Sequence, residues 1–568
     1  MTNYQFTGGT ICAPATIPGT GAISIIRVSG NEALAIADKV IDTKGAPIAE
    51  TEGYRLRYGT VFEADGSVLD NVIVSVFRAP HSYTGENSVE ISCHASRFIV
   101  NKILELLVNA GARIAAPGEF TRRAFVNGKM DLAQAEAVAD VIASQSAASH
   151  RVAMNQLKGG FSSELKVLRE KLLTMTSLLE LELDFSEEDV EFASRKELGQ
   201  LVDDSLTHIG RLTASFSRGN AIKNGVPVAI VGATNTGKST LLNALLGEER
   251  AIVSDIAGTT RDTIEETLNI DGILFRFIDT AGIRETDETI EKIGIDRTFK
   301  KLGEAAVVLG MTDLSRGEAA VLEDADFILS KVNEMGGVKN VGTENDGSET
   351  GWAPLAGTDG TSLAETGGSS LAGTDGASGS ETGGTPPAET GGASQHSHGD
   401  GQERKVVILV NKCDVAGDFY RDDNGTGDVS GNDLGENMSE ICDNKNVNHD
   451  NNIVSLIENK YDNCKVIPIS AKTGKGLSTL TKTLGEIGSE ITGSTDETLV
   501  TNVRHYEALV RAASALERVR AGLHIATLPP DLIAQDLREA LYHLGEIVGE
   551  ISTDETLGNI FRNFCIGK

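Results

Sequence analysis

An apolar run, Val228 to Val231, leads straight into Gly232-Ala-Thr-Asn-Thr-Gly237-Lys238-Ser239 and then into a helix-forming stretch, TLLNALLG. This strand, loop and helix context gives the GxxxxGK[ST] pattern its meaning. Successive main-chain N–H groups of such a loop point at phosphate oxygens, Lys238 adds positive charge, and the Ser239 hydroxyl suits a magnesium ion. A glycine turn with no ligand would not require lysine and serine at those positions. Further apolar runs at Leu274 to Ile278, Ala306 to Leu309, Val406 to Val410 and Val466 to Ile469 are spaced as a doubly wound, mostly parallel sheet requires.

Three more motifs follow those runs. Asp279-Thr280-Ala281-Gly282 ends one strand, where the aspartate can hold a magnesium-bound water and the Gly282 N–H can meet the terminal phosphate. Asn411-Lys412-Cys413-Asp414 ends another, and Ser470-Ala471-Lys472 follows a third. The Asp414 carboxylate can accept two N–H bonds from the edge of guanine. Adenine offers no such pair and would leave the acid unsatisfied, so GTP is selected over ATP. Ras-like proteins carry a glutamine after this DxxG motif to orient the attacking water. Here the position is Ile283, so hydrolysis needs another arrangement.

At 568 residues the chain requires more than one core. The 51 Lys and Arg against 82 Asp and Glu, a net charge of -31, disfavour a broad basic surface wrapped around nucleic acid. The six cysteines (Cys12, Cys93, Cys413, Cys442, Cys464, Cys565) show no zinc or disulfide spacing and fit a reducing cytosol. Neither a signal peptide nor a membrane span is apparent, which predicts a cytoplasmic protein.

Ahead of the phosphate loop the periodicity changes twice. Short strands and turns, with runs at Ile23 to Val28 and Val72 to Phe77 and a helical stretch near Phe98 to Val108, predict an α+β domain over 1–127. From Asp131 apolar residues recur at three and four, predicting a helical domain whose first part is 128–224. Its pattern resumes in HYEALVRAASALERVRAGL and PDLIAQDLREALYHLGEIVGEI, within a second part at 491–568. The 225–490 segment then reads as an insertion into one helical domain. Two polar stretches interrupt that segment. About 333–403 is rich in Gly, Thr, Ser, Ala and Glu, repeats LAGTDG at Leu355 and Leu371, and contains Trp352, His396 and His398. About 417–452 is rich in Asp, Asn and Gly. Both read as solvated inserts that bury little apolar surface.

Asn235 in the loop, SDIAGTTRD from Ser254 to Asp262, DTAGIRETDETIEKIG and the terminal FCIGK resemble the MnmE (TrmE) family of tRNA-modification GTPases. The resemblance covers the chain outside the two inserts. It departs at Ala233-Thr234, where a basic residue and then proline are common, and at Ser254, where threonine is frequent.

The resemblance implies an α/β P-loop GTPase domain inserted in an α-helical domain, preceded by an α+β folate-binding domain. The implied GTP contacts are Asn235, Thr236, Gly237, Lys238, Ser239, Thr240, Ser254, Asp255, Ile256, Ala257, Gly258, Thr259, Thr260, Asp279 to Gly282, Asn411, Lys412, Asp414 and Ser470 to Lys472. Potassium would sit on Asn235, Ser254, Ile256 and Thr259, adding charge beside the phosphates as an arginine finger does. Magnesium would sit on Ser239 and Thr260. Glu291 matches a distant glutamate that acts on the attacking water, so Glu291, Lys238 and Asn235 are the implied catalytic set. Arg27, Glu90, Lys129 and Lys568 match positions that bind 5-formyltetrahydrofolate, and Cys565 is a potential thiolate near that pocket. The implied partners are a second copy of the chain, an MnmG (GidA) type FAD protein in a heterotetramer, and tRNA, whose wobble uridine gains a substituent at carbon five. Ribosome-assembly GTPases of the Era or Der type share the nucleotide motifs, but their RNA-binding module or second GTPase domain is not visible here. A nucleotide-regulated scaffold is the remaining alternative.

The base-reading assignment is directly testable. Asp414→Asn should weaken GTP binding by at least about tenfold, since one paired buried group is lost, while tolerating xanthosine triphosphate. Undiminished GTP affinity on titration would remove the assignment.

Overall fold

The computed structural model describes residues 8–184, 194–249, 266–278, 305–334, 404–414, 454–461, 464–493, 497–524, 529–551, 554–562, 564 and 567. Seven strands form a first sheet: β1 (Ile11–Pro14), β2 (Ile23–Ser29), β3 (Ile41–Thr43), β4 (Arg55–Phe62), β5 (Val68–Phe77), β6 (Ser88–His94) and β7 (Arg113–Ile114). Their order is β3-β4-β5-β6-β2-β1-β7, antiparallel except for the β1–β7 pair. Strand β5 shows why one face is covered. Val72, Val74 and Val76 alternate inward against helices Ala33–Val40 and Arg97–Asn109, while Asn71 and Ile73 point outward. The opposite face leaves Leu56, Tyr58 and Ile73 largely exposed, with Tyr58 and Ile73 in register.

The helical pattern after Asp131 resolves into separate helices, Leu132–Ala143, Ala147–Leu157 and Gly160–Asp184, followed by Arg195–Ala214 and Phe216–Asn224. The start of the first helix and the break before the second have local causes. Asp131 and Ser146 each cap the helix that follows through reciprocal bonds with the third residue, Gln134 and Ser149. Leu165, Leu172, Leu198, Val202 and Ile209 share one core with Leu509, Leu516, Leu537 and Leu544, from the helices Val503–Leu523 and Pro530–Val548. Segments on both sides of the nucleotide-binding sheet therefore build one helical bundle, as an insertion requires.

A buried charge cluster fastens that bundle. Glu136 accepts from Arg504 Nε at 2.9 Å and pairs with His505 Nε2 at 2.7 Å, while Arg504 also donates to the carbonyls of Glu546 and Ile547. Helices Leu132–Ala143, Val503–Leu523 and the end of Pro530–Val548 are thereby joined. Phe161 stacks on His505 with ring centroids 5.3 Å apart.

The second sheet contains β8 (Val226–Gly232), β9 (Glu266–Ile270), β10 (Ile273–Ile278), β11 (Val307–Asp313), β12 (Lys405–Asn411) and β13 (Cys464–Pro468), in the order β13-β12-β11-β8-β10-β9. All neighbours are parallel except β9 and β10. Helices Lys238–Glu249 and Leu477–Thr492 pack on one side and Glu318–Glu334 on the other, so β11 is buried along its whole length. The chain leaves β8 towards β10 and later returns to its other side as β11. That reversal places a crevice at the carboxyl ends of β8 and β11, where open α/β sheets bind ligands. Strand β9 joins β10 through a tight Asp271-Gly272 turn, both residues having positive φ. The segment 335–403 and the polar stretch 417–452 lie outside the described residues.

The charge cluster makes stability depend on pH in a definite direction. Burial alone would raise the Glu136 carboxyl, but His505 and Arg504 outweigh it and hold it at about 2 rather than 4.5. A carboxylate depressed on folding stabilises the protein above its unfolded value and loses that contribution as pH falls. Glu136→Gln should therefore cost about 3 kcal/mol near neutral pH, the scale for breaking a buried pair. The gap in Tm between the two proteins should close as pH falls through 4.5 towards 2. A gap independent of pH would show that the charge is not what holds the helices.

Candidate functional site

The phosphate loop leaves β8 at Gly232, φ +154°, and enters its helix at Lys238 after Gly237, φ +97°. A side chain at either glycine would strike the protein. A Cβ on Gly232 would lie 2.3 Å from the Met311 carbonyl oxygen, and one on Gly237 would lie 2.4 Å from Asn411 Nδ2. Asn235, at the exposed crown, also takes a left-handed φ of +63°. A tight, glycine-built loop thus runs directly into a helix N-terminus, the kind of arrangement that receives anionic oxygens. Lys238 Nζ donates to the carbonyls of Gly232 and Ala233 at 2.9 and 2.7 Å, and burial pushes its ammonium below the ordinary lysine value. The charge sits over the cradle. Ser239 is half-buried on the first turn, and Thr240 is exposed.

Asn411 binds this loop to the turn at Ser470 to Lys472, and so joins it to the segment Asn411 to Asp414. Its Nδ2 donates to the Thr236 carbonyl at 2.7 Å, and its Oδ1 accepts from the Ala471 N–H at 3.0 Å. Asn411, Thr236, Ser470 and Ala471 are all buried, while Asp414 and Lys472 stand exposed beside them. The Cys413 N–H donates to the Ile469 carbonyl, closing the same junction. Lys412 takes a φ of +64° and pairs its Nζ with Asp313 Oδ2 at 2.6 Å. Burial would raise the Asp313 carboxyl, but its bonds from Lys412 and Ser315 hold it below the usual carboxylate range. The motif reading of the sequence missed Asp313, because a single aspartate ending an apolar strand carries no spacing signal.

A second neighbourhood lies on the first sheet. Arg27 and Glu90 face each other in the β2–β6 register, with Nε and Nη2 of Arg27 donating to Glu90 Oε1 at 3.0 and 2.8 Å. The guanidinium lies 5.1 Å from the Tyr83 ring and 5.6 Å from the Phe120 ring. Its Nη1 donates to the Gly567 carbonyl at 3.4 Å, so the carboxyl-terminal tail reaches this pair. The close packing explains a glycine here: a Cβ on Gly567 would lie 2.1 Å from the Pro14 carbonyl oxygen. Lys129 donates to the Pro80 carbonyl, on the loop that carries Tyr83. Glu86, Glu119 and the buried Arg123 anchor that loop from below, Arg123 Nη1 donating to Glu86 and Nη2 to Glu119.

The loop, Asn411 to Asp414 and Ser470 to Lys472 thus come together, and Arg27 and Glu90 do so elsewhere. Ser254, Asp255, Ile256, Ala257, Gly258, Thr259, Thr260, Asp279, Thr280, Ala281, Gly282, Glu291, Cys565 and Lys568 lie outside the described residues. Burial pushes the thiols of Cys12, Cys93 and Cys464 up to about 11, so all three are protonated at neutral pH. Among the described residues no helix is long and apolar enough to cross a membrane.

Two family models match this chain. One described as the GTP-binding protein TrmE N-terminus covers residues 10–129, and one described as the MnmE helical domain covers 132–565. The tRNA modification GTPase MnmE of Parabacteroides distasonis is 43% identical over 98% of this chain and 100% of its own length. The chain belongs to the MnmE family. The MnmE proteins of Bacteroides fragilis, at 44% identity, and Flavobacterium johnsoniae, at 43%, each align over 98% of this chain and 99% of their own length. In this MnmE-family chain the α/β nucleotide-binding fold, its helical host and the preceding α+β unit are those expected from the residues.

Asn411 offers the sharpest test of the cradle. Asn411→Ala leaves the Thr236 carbonyl and the Ala471 N–H buried without partners, at about 1 to 3 kcal/mol each. GDP affinity measured by calorimetry should fall by at least about tenfold. Unaltered affinity would mean that the loop and the base-reading segments hold their places without it.

Proposed function

We propose that GTP turnover in this chain is potassium-assisted and drives modification of the wobble uridine of certain tRNAs at carbon five. The added group is a carboxymethylaminomethyl or aminomethyl substituent. Family membership carries the coarser statement, a GTP hydrolase acting in tRNA modification. The observation that best supports a working nucleotide site is the Asn411 clamp, which sets the phosphate loop, Asp414 and the Ser470 to Lys472 turn around one crevice.

In this reading the loop amides and Lys238 bind the phosphates, and Asp414 and the Ala471 region read guanine. Magnesium on Ser239 and Thr260, and potassium on Asn235, Ser254, Ile256 and Thr259, would supply positive charge to the phosphoryl oxygens during transfer. Asn235 stands at the exposed crown of the loop, where its side-chain amide oxygen could ligate such a cation. Glu291 orients the attacking water. Opening and closing of the nucleotide-binding unit acts as a switch, while the bond-forming chemistry lies at the uridine.

The Arg27–Glu90 pair is the proposed folate site. Glu90 can accept from the N–H edge of a pterin, and the rings of Tyr83 and Phe120 give flat apolar walls beside it. Lys129 and Lys568 complete the set, for 5-formyltetrahydrofolate or a related one-carbon folate. The exposed Leu56, Tyr58 and Ile73 on the same sheet favour a homodimer through this unit. An MnmG-type FAD protein would complete a heterotetramer acting on tRNA in the cytoplasm.

Two measurements test the reading. GTP turnover should fall at least about tenfold when sodium replaces potassium, the scale of removing one charge-stabilising group from a phosphoryl-transfer site. Mass spectrometry of tRNA from a strain lacking this chain should show wobble uridines without the carbon-five substituent. Equal rates in the two salts would remove the potassium mechanism, and intact uridines would remove the tRNA role.

A further inference from the structure

Asp313 ends β11 directly beside Asn411 in the parallel register with β12, and it is buried. Its Oδ1 accepts from the Ser315 N–H at 3.0 Å and the Ser315 hydroxyl at 2.5 Å, which fixes the carboxylate. Its Oδ2 takes the Lys412 ammonium at 2.6 Å. Lys412 lies between Asn411, which is bonded to the phosphate loop, and Asp414, which stands exposed at the crevice. A nucleotide spanning those two points must cross residue 412. Lysine has four rotatable side-chain bonds, and an exposed one would sweep through water. Here the ammonium is tied back to the sheet, and the left-handed backbone at Lys412 sets the direction from which its stem approaches.

We propose that Asp313 is a positioning residue for nucleotide binding, anchoring the Lys412 ammonium so that its four-carbon stem forms a fixed surface for the guanine face. This rests on the GTP-site reading above and deepens it. Because the stem meets the ring face and not its amino edge, Asp313 governs affinity without governing which purine is chosen. Asp414, at the amino edge, governs the choice of purine as well as affinity.

Titration of the full-length protein with GDP and with inosine diphosphate separates the two roles. Asp313→Asn keeps the shape and removes the charge. It should weaken both nucleotides about tenfold, the scale of one charge-assisted hydrogen bond, and leave their ratio unchanged. Asp313→Glu should recover most of the loss. In the Lys412→Ala background, Asp313→Asn should cost nothing further, because the group it positions is gone. Should Asp313→Asn not fold, Lys412→Met carries the same test from the other side, with charge lost, stem kept and both nucleotides weakened alike. Wild-type affinity in well-folded Asp313→Asn, losses that add in the double variant, or a changed GDP to inosine diphosphate ratio would each overturn the proposal. Wild-type protein that binds neither nucleotide would instead overturn the GTP-site reading itself.

Discussion

One amide side chain holds the nucleotide crevice together. Asn411 has a donor and an acceptor, and both are used on buried main-chain groups from segments that are far apart in sequence. An apolar residue of the same size would leave two polar groups stranded, so this residue ties together the three loops at the carboxyl ends of β8, β12 and β13. The parallel sheet beneath makes that possible. Its strands are buried on both faces, leaving their ends as the places where polar chemistry meets solvent.

The helical host depends on a different kind of bond. Glu136, Arg504 and His505 bring together helices that are separated by more than 350 positions in the chain. Removing charge from water is costly, and the cluster is tolerable because Arg504 also satisfies two carbonyls at a helix end. The last turn of Pro530–Val548 is thereby tied to the start of Val503–Leu523. Chain leaving the nucleotide-binding unit is held as well: Gln156 donates to the Leu499 carbonyl and to Thr501, and the Val500 N–H donates to the Ser215 hydroxyl.

Much of this was legible from residues alone where chemistry and periodicity are local. The phosphate loop announced itself because its glycines, lysine and serine stand at fixed offsets after an apolar strand. The interruption of the helical pattern announced an insertion, because apolar residues at three and four resume after the sheet. Strand β9 went unread although Asp271-Gly272, between apolar residues, is a strong hairpin signal, because Glu265 and Glu266 hid its start within a charged stretch. The start of the first helix and its separation from the second depend on Asp131 and Ser146, whose capping bonds are geometric facts and not compositional ones. Asp313 and Gly567 were beyond reach for another reason. Their importance lies in what they touch, and neither partner can be inferred from spacing when the pair is 99 or 540 positions apart.

The tail that brings Gly567 to Arg27 has a bearing on how the protein is made and handled. Ribosomes deliver Arg27 540 residues ahead of Gly567, so this corner of the first sheet is completed long after its strands are made. A nascent chain that has not yet reached Gly567 can form that sheet, but its Arg27 guanidinium then lacks this carbonyl. Affinity tags for purification are therefore best kept away from Gly567, whose carbonyl completes the Arg27 pair.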